Sequence, residues 1–177
     1  MKRILDLIKN TDVRPLIIGI DGMCASGKTT LAERLMHALD APVIHTDDFF
    51  IPIKERTGTE KVNIDEKRFV NEVIMPLCSF RQFRYGVFDC KKQLITSYRD
   101  IPRSDIYIIE GSYCLYPCFP DIYAMKVFSE MPEELQRGRL IARAGEDGYA
   151  AFRDRWIPLE NKYFKEYKIK ERCDVVI

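Results

Sequence analysis

The feature that most constrains this chain is a glycine-bounded loop directly after an apolar run. The run Leu16–Asp21 leads into GMCASGKT at residues 22–29, which has the spacing G-x-x-x-x-G-K-[ST]. Gly22 and Gly27 permit backbone angles that a Cβ would oppose, so the loop can turn its amide hydrogens inward around an anion. A helical pattern begins at Gly27, and the positive end of that helix favours negative charge. The sequence therefore predicts a phosphate-binding loop between a buried strand and a helix.

The residue types in this loop suit a nucleoside triphosphate. Lys28 supplies a positive charge between the β- and γ-phosphates, and the Thr29 hydroxyl is a ligand for Mg²⁺. The residues predicted to bind ATP are Gly22, Ala25, Ser26, Gly27, Lys28, Thr29 and Thr30. Switches, motors and transporters use the same loop, so it identifies the ligand rather than the reaction.

The remaining sequence alternates short apolar runs with helical stretches, which is typical of a parallel sheet covered by helices. Strands are predicted at Leu16–Asp21, Pro42–Thr46, Ile106–Glu110, Tyr123–Phe128 and Cys173–Ile177. Helices are predicted at Gly27–Leu39, Asp65–Cys78, Pro132–Arg143 and Tyr149–Tyr167. An aromatic, β-prone stretch at residues 83–102 predicts a hairpin-like insertion. We expect one α/β domain over residues 1–177, a three-layer P-loop NTPase fold with a five-stranded parallel sheet and a small hairpin and lid insertion.

Composition argues against several other classes of protein. The 177 residues include 28 basic and 27 acidic side chains, so no long-range basic field favours nucleic acid or a membrane surface. No apolar run approaches the roughly 20 residues that span a bilayer, and the N-terminus lacks the apolar core of a signal peptide. Six cysteines without CxxC pairs and two histidines do not have the spacing of a zinc site. We expect a cytoplasmic protein with reduced cysteines, in which modification of Cys24 would inhibit the phosphate loop.

Two acidic segments follow predicted strands, at the sheet edge where open α/β folds bind ligands. The second strand ends in HTDDFF at residues 45–50, where Asp47 can accept the proton of an attacking hydroxyl. The third strand ends in Glu110, where P-loop proteins place an acid that holds Mg²⁺ directly or through water. Phe49 and Phe50 are predicted to form a wall of the substrate pocket. A turn carboxylate at Asp47 and an ordinary strand end at Glu110 are the alternative interpretations.

Four segments in this order resemble the uridine kinase and nicotinamide riboside kinase group of P-loop nucleoside kinases. They are GMCASGKTTLAERL, HTDDFF, VNIDEKRF and IIEGSYCLY, and the resemblance runs from around Pro15 to the C-terminus. It implies that Asp47 is the catalytic base and neighbours the metal, that Asp65 grips the ribose hydroxyls, and that Glu110 belongs to the magnesium site. Relatives usually continue beyond the fifth strand into a loop and helix that contact adenine, and this sequence does not identify those contacts.

The resemblance also implies an arginine-bearing lid, which corresponds to residues 137–150. Arg139 and Arg143 are one helical turn apart, so they share a helix face from which both can reach a transferring phosphate. A solvated helix face is the alternative interpretation. Beyond the lid, Trp156 and Tyr163 lie in a further stretch that resembles the family. We expect core positions for both, and a wall of the substrate site is the alternative interpretation.

Together these residues predict an ATP- and Mg²⁺-dependent kinase that phosphorylates a hydroxyl of a small ribose-containing molecule, a nucleoside in the manner of uridine kinase. Nicotinamide riboside, pantothenate, phosphoribulose and a nucleoside monophosphate are the alternative acceptors. A regulatory GTPase is disfavoured because the sequence lacks both N-K-x-D and D-x-x-G. A nucleotide-binding module without catalysis is disfavoured because Lys28, Thr29, Asp47 and Glu110 are all chemically competent. We expect ATP and the small acceptor as partners, and neither nucleic acid nor membrane.

Overall fold

The strands and helices alternate along the chain as the sequence predicts. The structure is a computed structural model that describes residues 1–56 and 62–177. The strands are β1 (Leu16–Gly22), β2 (Val43–His45), β3 (Phe83–Asp89), β4 (Leu94–Ile101), β5 (Ile106–Glu110), β6 (Met125–Ser129) and β7 (Val175–Val176). The helices are α1 (Lys2–Lys9), α2 (Lys28–Leu39), α3 (Glu66–Phe69, a π-helical turn Val70–Ile74, then Met75–Cys78), α4 (Glu133–Ala151) and α5 (Ile157–Tyr167). A π-helical turn, Phe152–Trp156, joins α4 to α5.

Five of the strands form one parallel sheet in the order β2-β5-β1-β6-β7, with β1 at its centre. All seven residues of β1 are buried, which explains its mainly apolar sequence, in which Asp21 is the one charged residue. Because side chains alternate along a strand, Ile17 packs into one core cluster while Ile18 and Ile20 pack into the other. Leu31 and Leu35 of α2 belong to the second cluster. The predicted five-stranded α/β fold is confirmed.

The predicted element boundaries shift by a few residues, and the largest difference is at α4. The predicted helix Pro132–Arg143 continues to Ala151, although Gly145 interrupts it with a non-helical backbone at φ 73° and ψ 173°. Glycine accepts this left-handed φ without a Cβ penalty, so the helix resumes after the break. The segment predicted as a lid therefore lies inside α4, and its movement stays a prediction.

The predicted hairpin is confirmed, as the antiparallel pair β3–β4. A half-buried ion pair on α3, between Arg68 and Glu72 with an N–O distance of 3.0 Å, holds the hairpin next to the turn after β2. Glu72 accepts a hydrogen bond from the Gly86 amide at 3.0 Å, and Arg68 donates to the Gly86 carbonyl at 2.7 Å. The Arg68 guanidinium also lies over the Phe49 ring. One ion pair thus joins α3, the hairpin and the β2 turn.

Membrane insertion through a helix finds no support in the part of the chain that the structure describes. Over residues 1–56 and 62–177, no helix is both long enough and apolar enough to cross a bilayer.

Candidate active site

A cleft of about 670 Å³ lies at the carboxyl edge of the parallel sheet, where α/β folds commonly bind ligands. Its walls come from the loop after β1, the turn after β2, the end of β5, the hairpin tip and the helices α4 and α5. The residues of the predicted site that line it are Ala25, Gly27, Lys28, Thr29, Thr30, Asp47, Glu110, Arg139 and Arg143. The structure therefore brings the predicted phosphate loop, acids and lid arginines to one cavity.

The phosphate loop has the backbone shape that its glycines predict. Gly22 has φ 133°, and a Cβ there would overlap the backbone of Ser129 on β6. The Lys28 ammonium group donates to the carbonyl oxygens of Gly22 at 2.7 Å and Met23 at 2.9 Å. Gly22 and Ser26 belong to the loop but do not line the cleft. The Ser26 hydroxyl is buried without a hydrogen-bond partner among the described residues. The two hydrogen bonds of Lys28 hold its ammonium group against the backbone of the loop.

The Glu110 carboxylate is the polar centre behind this loop. The Thr29 hydroxyl donates to it, with distances of 3.3 Å to Oε1 and 3.2 Å to Oε2. His45 Nδ1 lies 2.5 Å from Glu110 Oε1, a contact that sequence reasoning missed although His45 opens the HTDDFF segment. The structure places Thr29 and Glu110 together, as a shared metal site requires.

This donor set fits Mg²⁺. A hydroxyl and a carboxylate are hard oxygen ligands, and Mg²⁺ usually takes only one or two carboxylates together with phosphate oxygens and water. Among the residues whose positions the structure gives, no group of three or more His, Cys, Asp or Glu side chains is arranged to hold a metal ion.

Asp47 lies in a single 3₁₀ turn, Thr46–Phe49, directly after β2. Its side chain is open to the cleft, yet the surrounding walls remove most of its hydration and raise its pKa to about 6. The positive charge of Lys28 acts against this rise, while the negative charges of Glu110 and Glu160 add to it. An aspartate with this pKa is a stronger proton acceptor than an ordinary one and is still mostly ionised at pH 7.

The turn that carries Asp47 is held against the end of β5 by Thr46. The Thr46 hydroxyl lies 3.3 Å from the Glu110 carbonyl oxygen and 3.1 Å from that of Ser112. Gly111 between them has φ 128°, and a Cβ there would overlap the Thr46 hydroxyl. The glycine after Glu110 thus allows the close approach of the two acidic segments.

The prediction that Phe49 forms a wall of the substrate pocket is wrong. Phe49 is completely buried and packs against the rings of Phe69 and Tyr85, with centroids 5.2 Å and 5.1 Å away. The 3₁₀ turn points its side chain into the core, and the next residue, Phe50, lines the cleft instead.

Asp65 also lies outside the cleft wall. It caps α3, where its Oδ1 accepts a hydrogen bond from the Arg68 amide at 3.0 Å. Asn63, two residues earlier, lines the cleft. The assignment of Asp65 to a ribose therefore stays a prediction, and Asn63 is a residue that the sequence reasoning missed.

The two lid arginines face the phosphate loop from α4. Arg139 Nη1 donates to the Ala25 carbonyl at 3.0 Å, and Arg143 lines the cleft one turn further along. The shared helix face that their spacing predicts is therefore the face toward the loop. Contact with a transferring phosphate remains a prediction.

The stretch after the lid has mixed roles. Tyr163 is a core residue, as expected, and its hydroxyl donates to the buried carboxylate of Asp21 at 2.8 Å. Trp156, in contrast, lines the cleft, so the expectation of a core position is wrong for it. Glu160 on α5 also lines the cleft and accepts a hydrogen bond from the Cys24 amide. No sequence pattern predicts this contact, because the two residues are 136 positions apart.

The chain is similar to several known kinases. No protein-family model matches the chain. Uridine kinase-like protein 3 of Arabidopsis thaliana is 26% identical over 186 residues, which cover 93% of this chain and 39% of the relative. Nicotinamide riboside kinase 1 of Homo sapiens is 32% identical over 135 residues, which cover 72% of this chain and 65% of the relative. The chain thus spans less than two thirds of the length of these relatives.

A solved structure described as a possible uridine kinase from Bacillus stearothermophilus shares the fold. Its TM-score to this chain is 0.75 at 23% identity, over 99% of this chain and 97% of that one. At this identity the likeness supports the three-layer architecture.

Proposed function

We propose that this chain, a member of the uridine kinase-like family of P-loop kinases, transfers the γ-phosphoryl group of ATP to a hydroxyl of a small ribose-bearing molecule. The preferred candidate for that molecule is a nucleoside. The observation that carries the proposal is the single cleft in which the phosphate loop faces a carboxylate of raised pKa. A carboxylate in that position can accept the proton of an alcohol that attacks the γ-phosphate, as a kinase for a hydroxyl requires.

In this proposal the triphosphate lies on residues 22–30 and the acceptor lies over the ends of β2 and β5. Asp47 accepts the hydroxyl proton while the hydroxyl oxygen bonds to the γ-phosphorus. The bond from that phosphorus to the β–γ bridging oxygen breaks, and ADP leaves. Lys28, Arg139 and Arg143 offset the negative charge that spreads over the phosphoryl oxygens. Positioning and electrostatics supply most of the rate in such transfers.

The residues that would hold Mg²⁺ are Thr29, Glu110 and Asp47. A magnesium ion bound with ATP would neutralise phosphate charge there. His45 contacts the Glu110 carboxylate, so it fixes the direction in which that carboxylate points.

The lining of the cleft supports a ring-bearing substrate. Phe50, Phe152 and Trp156 contribute aromatic surface to it, and Asn63 and Gln93 contribute side-chain amides. A planar heterocycle with polar edges suits such a mixture. This is the reason to place a nucleoside ahead of pantothenate, phosphoribulose or a nucleoside monophosphate.

A panel of acceptors tests the proposal. We expect acceptor-dependent ADP release with one or more of uridine, cytidine and nicotinamide riboside, and mass spectrometry should find one phosphate added to that acceptor. Lys28→Met is the matched inactive control, and its folding is checked by circular dichroism. Transfer to pantothenate alone, or only to nucleoside monophosphates, would refute the nucleoside assignment. Folded wild-type protein that binds no ATP would refute the kinase assignment.

A further inference from the structure

The backbone of Cys24 in the phosphate loop is held on both sides by buried side chains from outside the loop. Its amide donates to Glu160 Oε2 at 2.9 Å, and its carbonyl accepts from Gln136 Nε2 at 3.0 Å. Glu160 and Gln136 are 5% and 2% exposed, so both contacts are shielded from water. A buried hydrogen bond to a charged group contributes more than an exposed neutral one. The two peptide groups that flank the Cys24 Cα therefore have a well-defined orientation.

The two side chains stand on either side of the predicted lid. Gln136 lies in the first turn of α4, before Arg139 and Arg143, and Glu160 lies in the first turn of α5, after the break at Gly145. The lid segment, residues 137–150, thus lies between two residues that bind the backbone of Cys24. Through these bonds, movement of either helix end would act on Cys24, and a change in the Cys24 backbone would act on both helix ends.

Glu160 also connects the loop to the end of β5. Its second oxygen, Oε1, accepts from the Ser112 hydroxyl at 2.9 Å, two residues beyond Glu110. One carboxylate therefore joins the phosphate loop, the helix after the lid and the strand end that carries the predicted metal ligand.

The negative charge of Glu160 is unfavourable for triphosphate binding, and structural stability alone does not explain it. Glu160 lines the same cleft as Lys28, so its negative charge opposes the binding of a triphosphate. A glutamine of the same shape could accept the Cys24 bond and contact the Ser112 hydroxyl without that repulsion. The charge is therefore better explained by a need to hold the loop firmly.

We propose that Glu160 and Gln136 are positioning residues for phosphoryl transfer, which fix the backbone of Cys24 from both sides of the lid and so couple the shape of the phosphate loop to lid closure. This inference rests on the proposed kinase function. Neither residue needs to touch the substrate, because each acts through the backbone of the loop.

The test compares Glu160→Gln and Gln136→Met, which keep side-chain size, with the double variant. We expect each single change to lower kcat by at least about tenfold, since small misplacements of a reacting group cost about that much or more. Glu160→Gln should also lower the KM and Kd for ATP, by about threefold or more, because it removes a nearby negative charge. Gln136→Met should not tighten ATP binding. The double variant should lose little more kcat than the worse single variant, because both changes release the backbone of the same residue.

Glu171→Gln is the matched control for charge, because Glu171 is exposed and lies outside the cleft. It should leave kcat and the Kd for ATP within about twofold of the wild type, as is usual for surface substitutions. Thermal unfolding shows whether each variant is folded at the assay temperature.

Two results would overturn the inference: kcat within threefold of wild type in both single variants, or a Kd for ATP that Glu160→Gln leaves unchanged or raises. The Kd is measured by calorimetry without an acceptor, so it decides this point even if the wild type transfers phosphate to none of the tested alcohols. That last outcome would refute the proposed function, whereas an active wild type with unaffected variants would refute only the positioning role.

Discussion

The raised pKa of Asp47 makes a quantitative prediction about the pH dependence of catalysis. The proposed base works in its ionised form, so activity should be present above its pKa and lost below it. With a pKa of about 6, the ionised fraction falls about tenfold between pH 7 and pH 5. An aspartate at the ordinary value of 3.8 would lose less than about a tenth of its ionised form over the same range. We expect kcat/KM to fall about tenfold from pH 7 to pH 5.

The measurement is the initial rate of product formation at ATP concentrations well below KM, where kcat/KM reports the free enzyme. Product is separated by chromatography and quantified directly, because coupling enzymes lose activity at low pH. Asp47→Asn keeps the shape of the side chain and removes the base, so kcat should fall by about 10²–10⁴ and the acidic limb should disappear. Asp40→Asn is the control: it makes the same change at a left-handed C-cap outside the cleft, where asparagine fits well.

Two outcomes would refute this reasoning. A wild-type profile that stays flat to pH 5 would mean that the cleft does not raise the pKa of the catalytic carboxylate. A loss of less than threefold in Asp47→Asn, with folding intact, would assign the base to another residue.

Three further predictions follow from the same cleft. Glu110→Gln should raise the Mg²⁺ concentration needed for half-maximal activity by about tenfold, as lost metal-site carboxylates commonly do; an unchanged magnesium titration would remove Glu110 from the metal site. Gly111→Ala should lower the free energy of unfolding by about 1–3 kcal/mol in urea titrations, because its left-handed φ strains a side chain and the Cβ meets Thr46; a loss below about 0.5 kcal/mol would contradict that packing. Cys24 should react with iodoacetamide far more slowly than the exposed Cys118, because burial raises its pKa to about 12 and leaves little thiolate. Equal labelling of the two cysteines in peptide mass spectra would contradict this, and Cys24 would then be open to modification, as expected from the sequence.

The parts of the site that sequence predicted well are those encoded over a short distance. The phosphate loop occupies eight consecutive positions, 22–29, and its glycines have the positive φ that the motif requires. Asp47 lies two residues after the end of β2, and Glu110 is the last residue of β5. Both strands are short apolar runs, as expected for strands buried in a parallel sheet. Parallel strands bring their carboxyl ends to one edge, so the meeting of these residues follows from the fold alone.

The parts that sequence could not predict depend on local rotation or on long-range contact. Whether Phe49 or Phe50 faces the cleft is decided by the 3₁₀ turn, which breaks the two-residue alternation of the preceding strand. Glu160 reaches Cys24 only because a π-helical turn and the break at Gly145 set the path of the chain between α4 and α5. Neither feature leaves a periodic pattern in the sequence.

The break at Gly145 has a further consequence for how this protein could be tuned. A methyl group on that residue would meet no atom within 4 Å, so the only penalty of a side chain there is its unfavourable backbone angle. A side chain at position 145 would therefore change the course of α4 through the backbone angle and not through packing. Because the path of the chain to Glu160 depends on this break, such a change would also shift the residues on either side of it, Arg139 and Arg143 before it and Glu160 after it.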